Sequence, residues 1–144
     1  MPLHNDDTIP PETHLLRVLQ PSWTTDKDGR HRPNSWAFQH ANGEASLFLS
    51  EPGMLQELQQ KFPGKEIASV PAAVIRASGL AIQRKPQDCP PDFNCDPNSH
   101  VVVGPSGEIQ KNDYERRTKA VARHPAVTII PPVTPTVPTP PPQP

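Results

Sequence analysis

The sequence is organised around RHRPNSWAFQHANGEASLFL, the stretch from Arg30 to Leu49. A polar cluster at its start leads into an apolar pair, Trp36 and Phe38, and an Asn-Gly turn then precedes an apolar run. Asn-Gly tolerates positive φ and favours a tight turn between strands. The stretch therefore predicts a short strand at 34–38, a turn, and a second strand at 45–50. Trp36 and Phe38 are predicted to fill the core.

The spacing of apolar residues outside this stretch predicts further strands and three helices. Two helices are predicted at 54–62 and 70–78, each stopped by a following glycine or Pro-Gly. A third is predicted to begin at Asn112, where Glu115 completes a capping-box pattern, and to end before Pro125. Short apolar runs predict strands at 13–20, 65–69, 80–84, 100–103 and 126–130. Interspersed elements of this kind predict an α+β fold, with a mixed sheet of about six or seven short strands and three helices.

The chain of 144 residues is predicted to hold one domain. Its 22 prolines and its hydrophobic content of 33% indicate many loops. We expect a flexible N-terminus at 1–12, the α+β domain at 13–130, and a disordered proline-rich tail at 131–144. Residues 20–34 and 87–99 are predicted to be irregular loops.

The charge and the N-terminus limit the classes of partner. A net charge of −1 implies no overall electrostatic attraction to nucleic acid, so a nucleic-acid partner is not expected. The N-terminal residues show no signal peptide, and no apolar run in the sequence approaches membrane-spanning length. We therefore predict a cytoplasmic protein without a membrane partner. With only Cys89 and Cys95, a structural disulfide is not expected in that compartment.

These cysteines have two alternative roles, in a zinc site or in a Cys–His nucleophile pair, for which no orienting third group can be assigned. Cys89, Cys95 and His100 are of zinc-ligand types, but the cysteines lack the spacing of two to four residues that structural zinc sites use. We therefore predict neither a metal nor another cofactor. His100 is interpreted as a hydrogen-bonding residue at the start of an apolar strand.

Two groups of basic residues could contact anions. Arg30 and Arg32, with Ser35 nearby, offer donors for a phosphate or carboxylate, although a solvated loop explains the same cluster. The last helix carries a second group, which we interpret as a solvated face whose cations suit the helix dipole. Its members are Arg116, Arg117, Lys119 and Arg123.

The tail repeats prolines at the spacing P-x-x-P, as in Pro132-x-x-Pro135. Such sequences form polyproline II, which docks in aromatic grooves of partner proteins. Because no flanking Arg or Lys would orient such a ligand, we interpret the tail as a spacer. The alternative is that the tail binds a polyproline-binding groove of a partner protein.

Three motifs, LLRVL, RPNSWAF and DPNSHVVVG, followed by a basic helix, resemble those of a family of small bacterial proteins of unknown function. The resemblance runs from residue 15 to about residue 130. It implies that Arg17, Arg32, Ser35 and His100 belong to one ligand-binding site, and it brings no known activity. The matching positions are Arg17, Arg32, Pro33, Ser35, Phe38, Asp96, Pro97 and His100.

A looser likeness is to compact ADP-ribosyltransferase-type toxins. These also have an Arg- or His-bearing first strand, followed by a strand that begins with small residues. The sequence does not place their acidic catalytic residue, for which Glu108 is the candidate.

These observations lead to two hypotheses of different classes. The absence of a catalytic motif favours a non-enzymatic binding, adaptor or accessory protein, with another protein as its partner. The alternative is a small nucleotide-handling enzyme or ADP-ribosyltransferase-like toxin in which Arg17, Arg32, Ser35 and His100 converge. One pocket holding all four side chains would support the enzyme, whereas Arg17 and His100 on opposite sides would exclude it.

Overall fold

The structure is a computed structural model that describes residues 3–27, 29–40, 43–86 and 99–132. Within these ranges the chain forms eight strands and three α-helices, which confirms the predicted α+β class. Two 3-10 helices add short turns at Pro21–Trp23 and Ser35–Phe38. In chain order the other elements are β1 (His14–Val18), β2 (Thr24–Lys27), β3 (Arg30–Pro33), β4 (Ala45–Leu49), α1 (Met54–Lys61), β5 (Ile67–Pro71), α2 (Ala72–Ala77), β6 (Ala81–Arg84), β7 (His100–Gly104), α3 (Lys111–Arg123) and β8 (Thr128–Ile130).

Six strands form the main sheet, in the order β6-β7-β4-β1-β5-β8, and β2 and β3 form a separate hairpin. The main sheet was predicted to be mixed, but every pairing of the described strands is antiparallel. Apolar spacing identifies the strands but not the direction in which they pair, so the sequence did not distinguish a mixed sheet from an antiparallel one. The central strand β1 pairs with β4 on one side and with β5 on the other.

Apolar side chains pack on both faces of the main sheet. Successive side chains of a strand point to opposite faces, so neighbouring residues enter different clusters. Leu15 packs in a larger cluster that includes residues of α2 and α3. Leu16 packs in a smaller cluster with Met54 and Leu58 of α1. We call these sides the α3 face and the α1 face. Burial of each such leucine stabilises the fold by about 1.5–3 kcal/mol.

The segment 34–38, predicted as a strand, is instead a turn of 3-10 helix over Ser35–Phe38. The side-chain oxygen of Asn34 accepts a hydrogen bond from the backbone N–H of Trp36 at 3.0 Å, which caps this turn. In a strand, residues 36 and 38 would share one face, but a helix with three residues per turn separates them. Phe38 is buried as predicted, whereas Trp36 is 63% exposed, so its assignment to the core was wrong.

The loop predicted at 20–34 contains the β2–β3 hairpin, which pairs Thr24 with Pro33 and Lys27 with Arg30. These strands are polar and carry no apolar alternation that would reveal them. Gly29 has a φ of 72° at the hairpin turn, a conformation that favours glycine. Arg30 fastens the hairpin to the main domain by donating to the backbone carbonyl of Val127.

The described part of the N-terminus, 3–12, packs against the domain instead of forming the predicted flexible segment. Leu3 and Ile9 are buried at 3% and 1% exposure. The Arg76 guanidinium donates to the carbonyl oxygens of Asp6 and Ile9 at 2.7 and 2.8 Å. The backbone N–H of Asp6 also donates to the carbonyl of Ile82, which covers the free edge of β6.

The last helix begins at Lys111, and Gln110 is its N-cap without a side-chain hydrogen bond. The predicted cap at Asn112 is therefore wrong, since Asn112 lies inside the helix. The buried side of this helix consists of Thr118, Val121 and Ala122. The predicted proline-rich tail lies outside the described residues from residue 133 onward.

Candidate functional site

The sheet register separates two of the four predicted ligand-binding residues. Phe48 of β4 stands directly opposite Leu16 on one side and His100 on the other. Directly opposed residues of antiparallel strands share a face, so His100 lies on the α1 face. Arg17 follows Leu16 and points to the α3 face. The four predicted residues therefore do not converge on one concave site.

Arg17 lies where the pairing between β1 and β4 stops. The ladder ends at Leu16 and Phe48, and its register would next place Arg17 opposite Leu47 and then Val18 opposite Ser46. The Arg17 Nη1 atom instead donates to the Ser46 carbonyl at 2.7 Å, and Nε donates to the Ala37 carbonyl at 2.9 Å. The guanidinium thus joins the main sheet to the turn at Ser35–Phe38.

Aromatic side chains complete the surroundings of the Arg17 guanidinium. Its Cζ atom lies 4.7 Å from the ring centroid of Trp23, within the range of a cation–π interaction. Burial lowers the pKa of Arg17 to about 10, so the group remains a cation at neutral pH. Burial also raises the pKa of the nearby Tyr114 hydroxyl, which accepts a hydrogen bond from the His40 backbone N–H. We call Arg17, Trp23 and Tyr114 the Arg17 cluster.

The other two predicted residues lie near this cluster in sequence but make different contacts. Arg32 is half-buried on β3, and its Nη1 atom donates to the carbonyl of the adjacent Pro33 at 3.1 Å. Ser35 begins the 3-10 turn and is half-buried. Both residues lie shortly before the exposed Trp36 in the chain.

Hydrogen bonds at both ends fix the turn that carries Trp36. Asn34 donates through its side-chain amide to the Ser22 carbonyl at 2.9 Å and through its backbone N–H to the Trp23 carbonyl. At the other end, the Gln39 amide donates to the Thr118 hydroxyl of α3 at 2.8 Å. The exposed indole therefore projects from a fixed backbone.

His100 is 1% exposed and makes a hydrogen bond through each ring nitrogen. Its Nε2 atom lies 2.5 Å from the Ser46 Oγ atom, and its Nδ1 atom lies 2.8 Å from the Lys85 carbonyl oxygen. Its ring also meets that of Phe48 edge to face, with centroids 5.3 Å apart. These contacts confirm His100 as a hydrogen-bonding residue at a strand end.

The candidate metal ligands and the basic residues of the last helix were the other groups singled out in the sequence. In the described ranges, no set of three or more His, Cys, Asp or Glu side chains could hold a metal ion, and Cys89 and Cys95 lie outside those ranges. On α3, Arg116 pairs with Asp113 at 2.6 Å, and Arg117 donates to the Gly79 carbonyl.

Among the residues that the structure describes, no helix is both long and apolar enough to cross a membrane.

Sequence reasoning missed two features of this region. It placed Trp36 in the core, because the 3-10 turn depends on the side chain of Asn34 rather than on apolar spacing. It also overlooked Ser46, since no local pattern relates this residue to a histidine 54 positions away. The alternation of β4 does place Ser46 and Phe48 on one face, but the register with β7 is needed to pair Ser46 with His100.

Comparisons of the chain with family models, with curated proteins and with solved structures found no match. The resemblance to small bacterial proteins thus stays a prediction, and the contacts of the chain's own residues are the basis for a functional proposal.

Proposed function

We propose that this chain is a small protein-binding module, an adaptor or accessory protein, whose contact surface is centred on Trp36. The observation that carries the proposal is the 63% exposure of this indole. Tryptophan is enriched among the few interface residues that supply most of the binding free energy, because it buries a large area with little loss of conformational freedom.

The rigidity of the turn supports this role. Ala37 and Phe38 are buried directly after the indole, and Asn34 is bonded to the segment before the hairpin. A partner would therefore order few residues when it covers Trp36. Preorganisation of this kind strengthens binding, since little conformational entropy remains to be lost.

The charges near this surface favour a protein partner over nucleic acid. Arg32 bonds its own neighbour, Arg116 pairs with Asp113, and the whole chain carries a net charge of −1. Nucleic-acid interfaces need a basic patch that neutralises several phosphates. We also propose the cytoplasm as the compartment, because a chain with two cysteines is not a disulfide-rich secreted scaffold.

Quantitative affinity capture tests the proposal with the full-length chain as bait in a lysate of its native host. The Trp36→Ala variant should lose a partner that the wild type retains, by about 30-fold or more if Trp36 is a hot spot worth 2 kcal/mol. Phe62→Ala is the matched control, since Phe62 is an exposed aromatic residue at the end of α1.

The comparison between the two variants decides the outcome. A protein lost with Trp36→Ala and kept with Phe62→Ala supports the Trp36 surface. Capture that is identical for the wild type and both variants would contradict the proposal. Circular dichroism of each variant confirms that the bait is folded.

A further inference from the structure

The α1 face carries a serine–histidine pair that the proposed binding function does not use. Ser46 lies on β4 two residues from Phe48, and Phe48 stands opposite His100 on β7. Ser46 and His100 are therefore diagonal neighbours on one face, close enough for a long side chain to bridge them. The Oγ and Nε2 atoms are 2.5 Å apart.

The second nitrogen of His100 fixes the direction of this hydrogen bond. Its Nδ1 atom lies 2.8 Å from the Lys85 carbonyl oxygen, which can only accept a hydrogen bond. Nδ1 therefore carries the proton, and in the neutral imidazole Nε2 presents its lone pair. The Ser46 hydroxyl then donates to Nε2, the arrangement in which a histidine activates a serine nucleophile.

Solvent access differs between the two members of the pair. His100 is 1% exposed and fixed by its contact with the Phe48 ring, whereas Ser46 is exposed. A reagent can thus reach the hydroxyl while the imidazole keeps its orientation. Arg17 steadies the same residue from the other side of the sheet by binding the Ser46 carbonyl.

A second pair on the α1 face provides an internal comparison. His14 Nδ1 lies 2.8 Å from the Ser69 Oγ atom, but here the histidine is exposed and the serine is 9% exposed. The hydroxyl of Ser69 is therefore shielded, although it also contacts an imidazole. Of these two pairs, only that of Ser46 combines an exposed serine with a buried, oriented base.

We propose that Ser46 is a nucleophile with His100 as its general base, and that the pair accepts activated esters. In the first step Ser46 Oγ bonds to the acyl carbon, its proton passes to Nε2, and the alcohol leaves with that proton. In the second step water gives a proton to Nε2 and attacks the acyl-serine. The carboxylic acid is released as the proton returns to Oγ. Esters with a good leaving group are the fitting class, because they demand least stabilisation of the developing oxyanion.

A fluorophosphonate probe tests the nucleophile directly, since Ser46 Oγ would displace fluoride from phosphorus and retain the phosphonyl group. The full chain is incubated with the probe, digested and mapped by mass spectrometry. We expect label on Ser46 and none on Ser69, and we expect Ser46→Ala to remove it. An unlabelled Ser46 in the folded wild type overturns the proposal.

A cysteine variant tests the base without replacing the buried His100. In a Cys89→Ser, Cys95→Ser background, Ser46→Cys is compared with Ser50→Cys, each treated with iodoacetamide. Ser50 is also exposed, and its hydroxyl contacts no imidazole in the described part of the chain. If Nε2 takes the thiol proton, Ser46→Cys should be alkylated at least about ten times faster than Ser50→Cys. Equal rates in folded variants would show that His100 has a structural role only.

Discussion

Trp23 and Trp36 flank the same β2–β3 hairpin but lie in contrasting environments. Trp23 packs against the larger core, and the Arg17 cation lies over its ring at 4.7 Å. Trp36 projects into solvent from a capped 3-10 turn. Residue type alone therefore does not assign a tryptophan to the core. The backbone around each ring decides whether it stabilises the fold or remains available to a partner.

The strongest test of this comparison removes the cation that holds Trp23. Arg17→Met should lower the free energy of unfolding by about 3 kcal/mol, because the Ala37 and Ser46 carbonyls lose charged donors and the cation–π contact disappears. Urea denaturation followed by circular dichroism measures this change.

Arg116→Met is the matched control for that substitution. The Arg116 side chain is 75% exposed and pairs with Asp113 on the same helix, so its loss should cost less than about 0.5 kcal/mol. Equal destabilisation by the two variants would show that Arg17 is no more important to the fold than a surface arginine.

The two tryptophans themselves provide the next test. Trp23→Ala should lower the free energy of unfolding by about 2 kcal/mol, since it removes a partly buried ring from the core and from Arg17. Trp36→Ala should change the same quantity by less than about 0.5 kcal/mol, because the indole is mostly exposed. A larger loss with Trp36→Ala would place its main role in folding rather than in binding.

The accuracy of the sequence predictions follows from how local each structural signal is. The strands near Leu15 and Leu47 and the helix containing Leu58 were predicted correctly, because their apolar spacing is visible within a few residues. The hairpin was missed since its strands, TTDK and RHRP, are polar on both sides. Its docking depends on Arg30 reaching the Val127 carbonyl, 97 residues away.

The candidate site was less predictable than the fold. The direction of Arg17, on the side of β1 opposite Leu16, follows from strand alternation alone and is readable from the sequence. Its separation from His100 could not be read from the sequence, since it depends on which strand pairs with which. The same holds for the contact between Ser46 and His100, which exists only in the β4–β7 register.

The smallest effect concerns His31, on the hairpin between the two tryptophans. Its Nδ1 atom lies 2.8 Å from Asp26, and its Nε2 atom lies 2.8 Å from Glu66 beside the main sheet. Both acceptors are carboxylates, so the protonated imidazole, in which both ring nitrogens donate, satisfies both contacts. The hydrogen bond to Asp26 and then that to Glu66 raise the pKa of His31 above its usual value.

A raised pKa in the folded state fixes the sign of the pH dependence. The stabilisation is complete below the unfolded pKa of about 6.5 and is lost as the pH rises through the higher folded pKa. Its size should not exceed about 1 kcal/mol, because the side chain is 40% exposed and solvent screens the ion pairs. Urea midpoints of the wild type and His31→Gln should therefore differ most at pH 5.5 and converge toward pH 8. A difference that grows with pH would mean that His31 does not tie the hairpin to the sheet as a cation, and the position of Trp23 would then depend on the contacts of Arg17, Arg30 and Asn34.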